Sequence, residues 1–133
     1  MASDQDILHN LARDYALAWC SGNPQEVAGF YTRDGQIAVN HGEAQTGHAA
    51  VAELARDLHA TFPDLDMSCD MMRKAGDHAI FVWTFEGHHS ETKNHVVMRG
   101  WEEWELGPDY KVLSSRIWFD PAEYQRQIDR PAG

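Results

Sequence analysis

The chain has 133 residues, a formal net charge of −10, 43% hydrophobic and 24% charged residues, which is the composition of an ordinary globular protein rather than a disordered one. The acidic balance excludes nucleic acid and anionic membrane surfaces as natural partners, since both are met by basic faces. No apolar run is long enough to span a bilayer, and Met1-Ala2-Ser3-Asp4 lacks the basic and apolar regions of a secretory leader, so a cytoplasmic location and a single domain over residues 1–133 are expected.

Ser3 to Ser21 reads as the first helix. Ile7, Leu8, Leu11, Tyr15, Ala18 and Trp19 recur on one face, Ser3 and Asp6 have capping-box spacing, and Gly22 ends the run. Asn23 caps a second helix with Pro24 at its first position and Glu26 where a capping-box acid belongs; Val27, Phe30 and Tyr31 form its buried face. Asp34-Gly35 turns the chain into a short strand, Gln36–Asn40, with Ile37 and Val39 on one side, and His41-Gly42-Glu43 leaves it. Thr46 is expected to cap the third helix, His48–Thr61, whose stripe is Val51, Leu54, Ala55, Leu58 and Phe62. Pro63-Asp64 ends that helix.

Leu65–Arg73 alternates as a half-buried strand does, and Ala75-Gly76-Asp77 turns it into three more: His78–Gly87, His95–Leu106 and Lys111–Phe119. These hold Trp83, Trp101, Trp104 and Trp118. Ser90 to Asn94 is a polar hairpin loop and Gly107-Pro108-Asp109 a tight turn. Asp120-Pro121-Ala122-Glu123 repeats the cap-Pro pattern and opens a last helix, Ala122–Ile128, before a frayed tail, Arg130 to Gly133. Helices with one early strand, then antiparallel strands, then a short helix make an α+β fold, with the helices on one face of a curved sheet. Cys20 and Cys69 sit among apolar residues without metal spacing and read as reduced core thiols.

Three strings in this order resemble the NTF2-like superfamily, and within it the SnoaL-like branch of polyketide cyclases and ketosteroid isomerase-like proteins. The first is Tyr15-Ala-Leu-Ala-Trp19-Cys-Ser-Gly22-Asn23 followed by Phe30-Tyr31-Thr-Arg-Asp34-Gly35. The second is Thr46-Gly47-His-Ala-Ala-Val-Ala-Glu-Leu54 leading to Phe62-Pro63-Asp64-Leu65. The third runs from Arg99-Gly100 through Trp104-Glu105-Leu106 and Lys111-Val112 to Trp118-Phe119-Asp120. The resemblance implies a cone in which a curved, mostly antiparallel sheet wraps three N-terminal helices around a small-molecule pocket.

It also implies site residues. Tyr15 precedes Gly22 by the interval of the oxyanion-hole tyrosine of ketosteroid isomerases, and a buried phenol needs a partner: a substrate oxygen, or backbone and water. Glu102 shares a strand face with Met98, Gly100, Trp104 and Leu106, near the protonated acid of those enzymes. The string Trp-Glu-Glu-Trp also allows the register in which Glu102 is a solvated charge. The general-base aspartate of those enzymes falls on Val39. His41 stands two residues on and is a second candidate base. Asp120 matches the late aspartate of SnoaL-like cyclases, and is also a good N-cap. Trp19, Phe30, Trp83, Trp104 and Phe119 are the aromatics expected to bind substrate.

His89 and His95 lie symmetrically about Thr92, but no third ligand is spaced to complete a metal site, and no cofactor-binding motif is present. The expected function is cofactor-free proton transfer or aldol-type chemistry on a small apolar carbonyl compound, by an isomerase or a cyclase. The alternative is a non-catalytic ligand-binding or dimeric module of the same fold. A homodimer through the outer face of the sheet is expected, because Trp101 and Trp118 point away from the pocket if Trp104 and Phe119 point into it.

Overall fold

Ser3 caps α1 (Asp4–Cys20) with a complete capping box, its hydroxyl accepting from Asp6 N while the Asp6 carboxylate accepts from Ser3 N. The computed structural model describes residues 3–131. Asn23 and Pro24 start α2 (Pro24–Ala28), and Asp120 and Pro121 start α4 (Pro121–Asp129). The strands are β1 (Tyr31–Val39), β2 (Gln45–Thr46), β3 (Asp66–Ala75), β4 (His78–His88), β5 (His95–Leu106) and β6 (Val112–Trp118), with α3 (His48–Thr61) between β2 and β3. They form one open sheet in the order β2-β1-β6-β5-β4-β3; β1 and β6 run parallel and every other pair antiparallel. The helices cover one face, so the fold is α+β and cone-shaped. Among the described residues no helix is long and apolar enough to cross a membrane.

Alternation fixes the inner face. Ala79, Phe81, Trp83 and Phe85 of β4 are buried, as are Val96, Met98, Gly100, Glu102, Trp104 and Leu106 of β5. Phe81 pairs with Glu102, and Trp83 with Gly100. The register in which Glu102 faces inward is therefore the one adopted, and Glu103 and Glu105 share the outer face with Trp101.

Several expectations are corrected. Tyr31 opens β1 instead of closing α2, and Asp34-Gly35 lies inside that strand at an irregularity in its pairing with β6. A Cβ on Gly35 would approach the Val112 carbonyl to 3.0 Å, so glycine lets β1 lie close to β6 there. Thr46 does not cap α3: it pairs with Gln36 in the short β2, and Gly47, at φ 97°, is the N-cap without a side-chain bond. Pro108–Tyr110 is a 3₁₀ turn. The cross-strand partner of His95 is His88, and each imidazole bonds its own carboxylate, His88 with Asp64 at 2.6 Å and His95 with Glu86 at 2.8 Å. Of the tail, residues 132–133 lie outside the described residues.

Where β6 stops, α4 covers the exposed edge of β5. Gln127 accepts from Val97 N and donates to Val97 O, while Asn94 of the hairpin loop donates to the carbonyls of Ile128 and Arg130. Asp120 starts this helix by accepting from Ala122 N at 3.0 Å and Glu123 N at 3.2 Å. Asp120→Ala is expected to lower the unfolding free energy by about 1 kcal/mol and Asp120→Asn to leave it unchanged. Equal losses in urea titrations would mean that the carboxylate's charge, not its hydrogen bonds, holds the helix start.

Candidate functional site

The helices do not seal the inner face of the sheet. A cavity of about 240 Å³ remains between them, and its lining is almost wholly apolar. The sheet contributes Val39, Ile117 and Glu102 in one row across β1, β6 and β5, with Met67, Trp83 and Phe85 beside it. Trp19 of α1, Tyr124 of α4 and Phe119 close two sides. Leu54, Asp57, Leu58 and Thr61 come from α3, spaced so that they share one face of that helix.

Glu102 is 1% exposed. Its Oε1 accepts three hydrogen bonds, from the Tyr15 hydroxyl (2.9 Å), the Ser115 hydroxyl (2.9 Å) and the Trp104 indole N–H (3.1 Å). No donor among the described residues reaches Oε2, and Glu102 lines the cavity. Tyr15 spends its proton on Glu102, so Tyr31, 2.9 Å away, is the donor of the bond between the two phenols. The result is a directed chain, Tyr31 to Tyr15 to Glu102. Burial pushes the Glu102 carboxyl above the usual carboxylate range, against the pull of its three donors. Burial, then the nearby Glu102 carboxyl, likewise push the hydroxyls of Tyr15 and Tyr31 above the usual phenol range. The phenols stay protonated, and the carboxyl keeps its proton to a higher pH than an ordinary glutamate does.

Of the residues singled out from the sequence, Glu102, Trp19, Trp83 and Phe119 line the cavity. Tyr15 and Trp104 stand one layer behind, with Tyr15 edge-on to Trp104 at 4.9 Å and Trp104 stacked on Phe81 at 5.5 Å. Tyr15 does not line the cavity itself; its hydroxyl bonds Glu102, which does. Phe30 packs on the far side of Tyr15 at 5.5 Å and lines a separate surface recess. His41 does not continue the Ile37 and Val39 face: β1 ends at Val39, Asn40 turns the chain at φ 51°, and His41 is exposed, edge-on to Trp118 at 5.0 Å. Asp120 is exposed at its cap and is not part of the lining.

Asp57 and Tyr124 are the chemically relevant lining residues that the sequence did not single out. Asp57 lies three residues after Leu54 and four before Thr61, a spacing that places it on the cavity side of α3, yet an exposed helix aspartate looks like surface charge. Among the described residues no three His, Cys, Asp or Glu side chains are placed to hold a metal ion.

The SnoaL-like domain family matches residues 12–114. No curated protein is significantly similar to the chain. Three solved structures show the same fold at low identity. One is a protein with a ketosteroid isomerase-like fold from Catenulispora acidiphila DSM 44928, in complex with trimethylamine (16% identity over 97% of this chain and 96% of that one, TM-score 0.82). The second, from Jannaschia sp. CCS1, is provisionally named a SnoaL-like polyketide cyclase (15% identity, 98% and 100%, TM-score 0.78). The third is SalBIII, an epoxide hydrolase/cyclase-like enzyme of pyran ring formation in the polyether salinomycin (14% identity, 90% and 95%, TM-score 0.78).

Proposed function

The chain belongs to the SnoaL-like domain family, and we propose that it binds a small, largely apolar carbonyl compound and transfers a proton at the carbon next to the carbonyl, as an isomerase or an aldol-type cyclase. The observation that carries this reading is Glu102, the buried carboxyl in the lining of an almost wholly apolar cavity, with three hydrogen bonds on one oxygen and none from the described residues on the other. A protonated Oε2 donates to the substrate carbonyl and stabilises the enolate that forms when the neighbouring C–H bond breaks. Tyr15, Ser115 and Trp104 are positioning residues that fix Oε1. Asp57, on the opposite wall, is the carboxylate able to take the carbon-bound proton. In an isomerisation that proton returns to another carbon; in a cyclisation the enolate carbon attacks a second carbonyl, whose oxygen then takes it. His41 and Asp120 are given no step, because neither lines the cavity. The Catenulispora complex with trimethylamine and the part of SalBIII in ring formation support a small-molecule role for this fold. The free thiols Cys20 and Cys69 support a cytoplasmic location.

A thermal-shift screen of aromatic polyketide-like and steroid-like ketones tests binding: a ligand at about 100-fold its Kd adds about 2.7 kcal/mol of stability. Exchange of α-protons of a bound ketone with deuterated water, followed by NMR, then tests chemistry without knowledge of the natural substrate. Binding with no exchange above buffer would select the second reading, a non-catalytic binding module. Val39 favours that reading, since an apolar group lines the cavity where ketosteroid isomerases carry their base.

We also propose that the outer face of the sheet pairs with a second copy of the chain. Ile80 and Trp101 are exposed there, and Trp101 stacks on Trp118 at 6.4 Å with Arg116 over the Trp118 ring. Arg99, Glu103 and Arg116 supply charges of both signs around this patch, as a self-complementary contact needs. Sedimentation is expected to show a dimer at tens of micromolar and a monomer after Trp118→Glu. A wild-type monomer would remove the proposal.

A further inference from the structure

A buried polar nitrogen without a hydrogen-bond partner costs about 1–3 kcal/mol, so a native structure keeps few of them. Among the described residues the side-chain atoms in this state are Nε1 of Trp19, Trp83 and Trp118 and Nδ1 of His59. Two have a local setting away from the cavity. Trp118 belongs to the outer-face cluster. His59 is held by its other nitrogen against the Trp19 carbonyl. Trp19 lines the cavity, but its N–H lies toward the Tyr15 hydroxyl, whose pKa it pulls down. Trp83 is different. It is 3% exposed, sits on the inner face, and lines the same cavity as Glu102.

The sheet places the two together. Trp83 pairs with Gly100 and Phe81 pairs with Glu102, so Trp83 and Glu102 are diagonal neighbours on one face. The Trp83 ring has little freedom, because its benzo edge lies over Gly100 and Phe85 packs beside it at 5.8 Å. Glu102 is fixed as well, by the three donors on Oε1. No Lys, Arg or His lines this cavity, and both of its charged-type residues are acids, which disfavours an anionic ligand.

We propose that the Trp83 indole N–H is the second hydrogen-bond donor to the oxygen that Glu102 engages, so that the cavity selects an uncharged ketone over its hydrocarbon counterpart. This rests on the reading of the cavity as a carbonyl-binding site. Two rigid donors on one oxygen would stabilise it more as negative charge develops there, which is the requirement for enolate formation. Trp83 then determines both which ligand is held and how well its enolate is tolerated.

The test uses 1-tetralone and tetralin, which share a ring system and differ in the carbonyl, with the whole wild-type chain labelled with ¹⁵N. The Trp83 Nε1–H resonance, assigned through its contacts with Gly100, is expected to move downfield when 1-tetralone is bound and not when tetralin is bound, with the other indoles little changed. Trp83→Phe, which keeps an aromatic ring and removes the donor, is expected to weaken 1-tetralone about fivefold more than tetralin. If 1-tetralone binds and the Trp83 proton responds equally to both probes, the inference is overturned and the cavity reading stands. If neither probe binds, the cavity reading itself fails and takes the inference with it. Should Trp83→Phe not fold, the wild-type spectra decide alone.

Discussion

Glu102→Gln is expected to give a folded protein in which proton transfer at the substrate carbon is far slower. Glutamine keeps the length of the side chain, and its amide oxygen can accept from Tyr15, Ser115 and Trp104 as Oε1 does now. What is lost is the exchangeable proton on Oε2. Removal of a general acid costs about 10²–10⁴ in rate, so α-proton exchange on a bound ketone should fall by that factor while binding survives. Glu102→Gln should also remove a pH dependence of stability. Burial raises the folded-state pKa of Glu102 above its unfolded value, near 4.3 for an ordinary glutamate. The native state therefore holds this proton more tightly than the unfolded chain does. The stabilisation is fully present below the unfolded pKa, declines as pH rises toward the folded one, and is gone above it. The variant has no such decline, so urea titrations carried upward from about pH 4.3 should show the difference in stability moving in its favour as pH rises. A difference that does not change with pH would mean that the carboxyl is not buried as an acid, and an exchange rate undiminished from wild type would show that Glu102 takes no part in the proton transfer.

Much of this site was visible in the chain, but as separate pieces. Period-two alternation over β4 and β5 gave the strands, yet Trp-Glu-Glu-Trp reads equally well in two registers. The burial of Met98, Gly100 and Leu106 on the same face is what settles it. Tyr15 and Glu102 are 87 residues apart, and no local pattern says that one donates to the other. Each looked like a separate candidate to touch substrate; in the fold Tyr15 serves Glu102. The reading of β1 failed at its start because Asp34-Gly35 has the composition of a turn, while the close approach of the Val112 carbonyl that makes glycine necessary there is a tertiary fact. His41 left the inner face for the same kind of reason, since the positive φ of Asn40 is not predictable from a run that otherwise alternates. Asp57 was missed because membership of a cavity depends on the elements opposite. An aspartate on a helix is surface charge until a gap in the packing adjoins it.

Gly100→Ala is expected to be the most destabilising single-methyl change in the sheet. A glycine in the middle of a central strand weakens it unless something must come close, and here two groups do. An added Cβ would sit 2.5 Å from Cζ2 and 2.7 Å from Cη2 of Trp83, and it would also fall inside contact distance of the Trp118 carbonyl oxygen. The Trp83 ring can move, though only into the cavity. The Trp118 carbonyl belongs to the end of β6 beside its pairing with Trp101, and cannot retreat without opening that ladder. Overpacking of this kind costs about 1–3 kcal/mol and at times more, and because backbone is involved the loss should be near about 3 kcal/mol, a large part of the 5–15 kcal/mol that holds a typical domain. Two consequences separate the contacts. Trp83→Phe in the Gly100→Ala background should restore part of the stability, by relieving the ring, and not the remainder, which belongs to the carbonyl. In the single variant, ketone binding should weaken beyond what the loss of stability explains, because the displaced indole occupies the cavity. A loss under about 1 kcal/mol in urea titrations, with binding intact, would show that the Trp83 ring does not lie on Gly100.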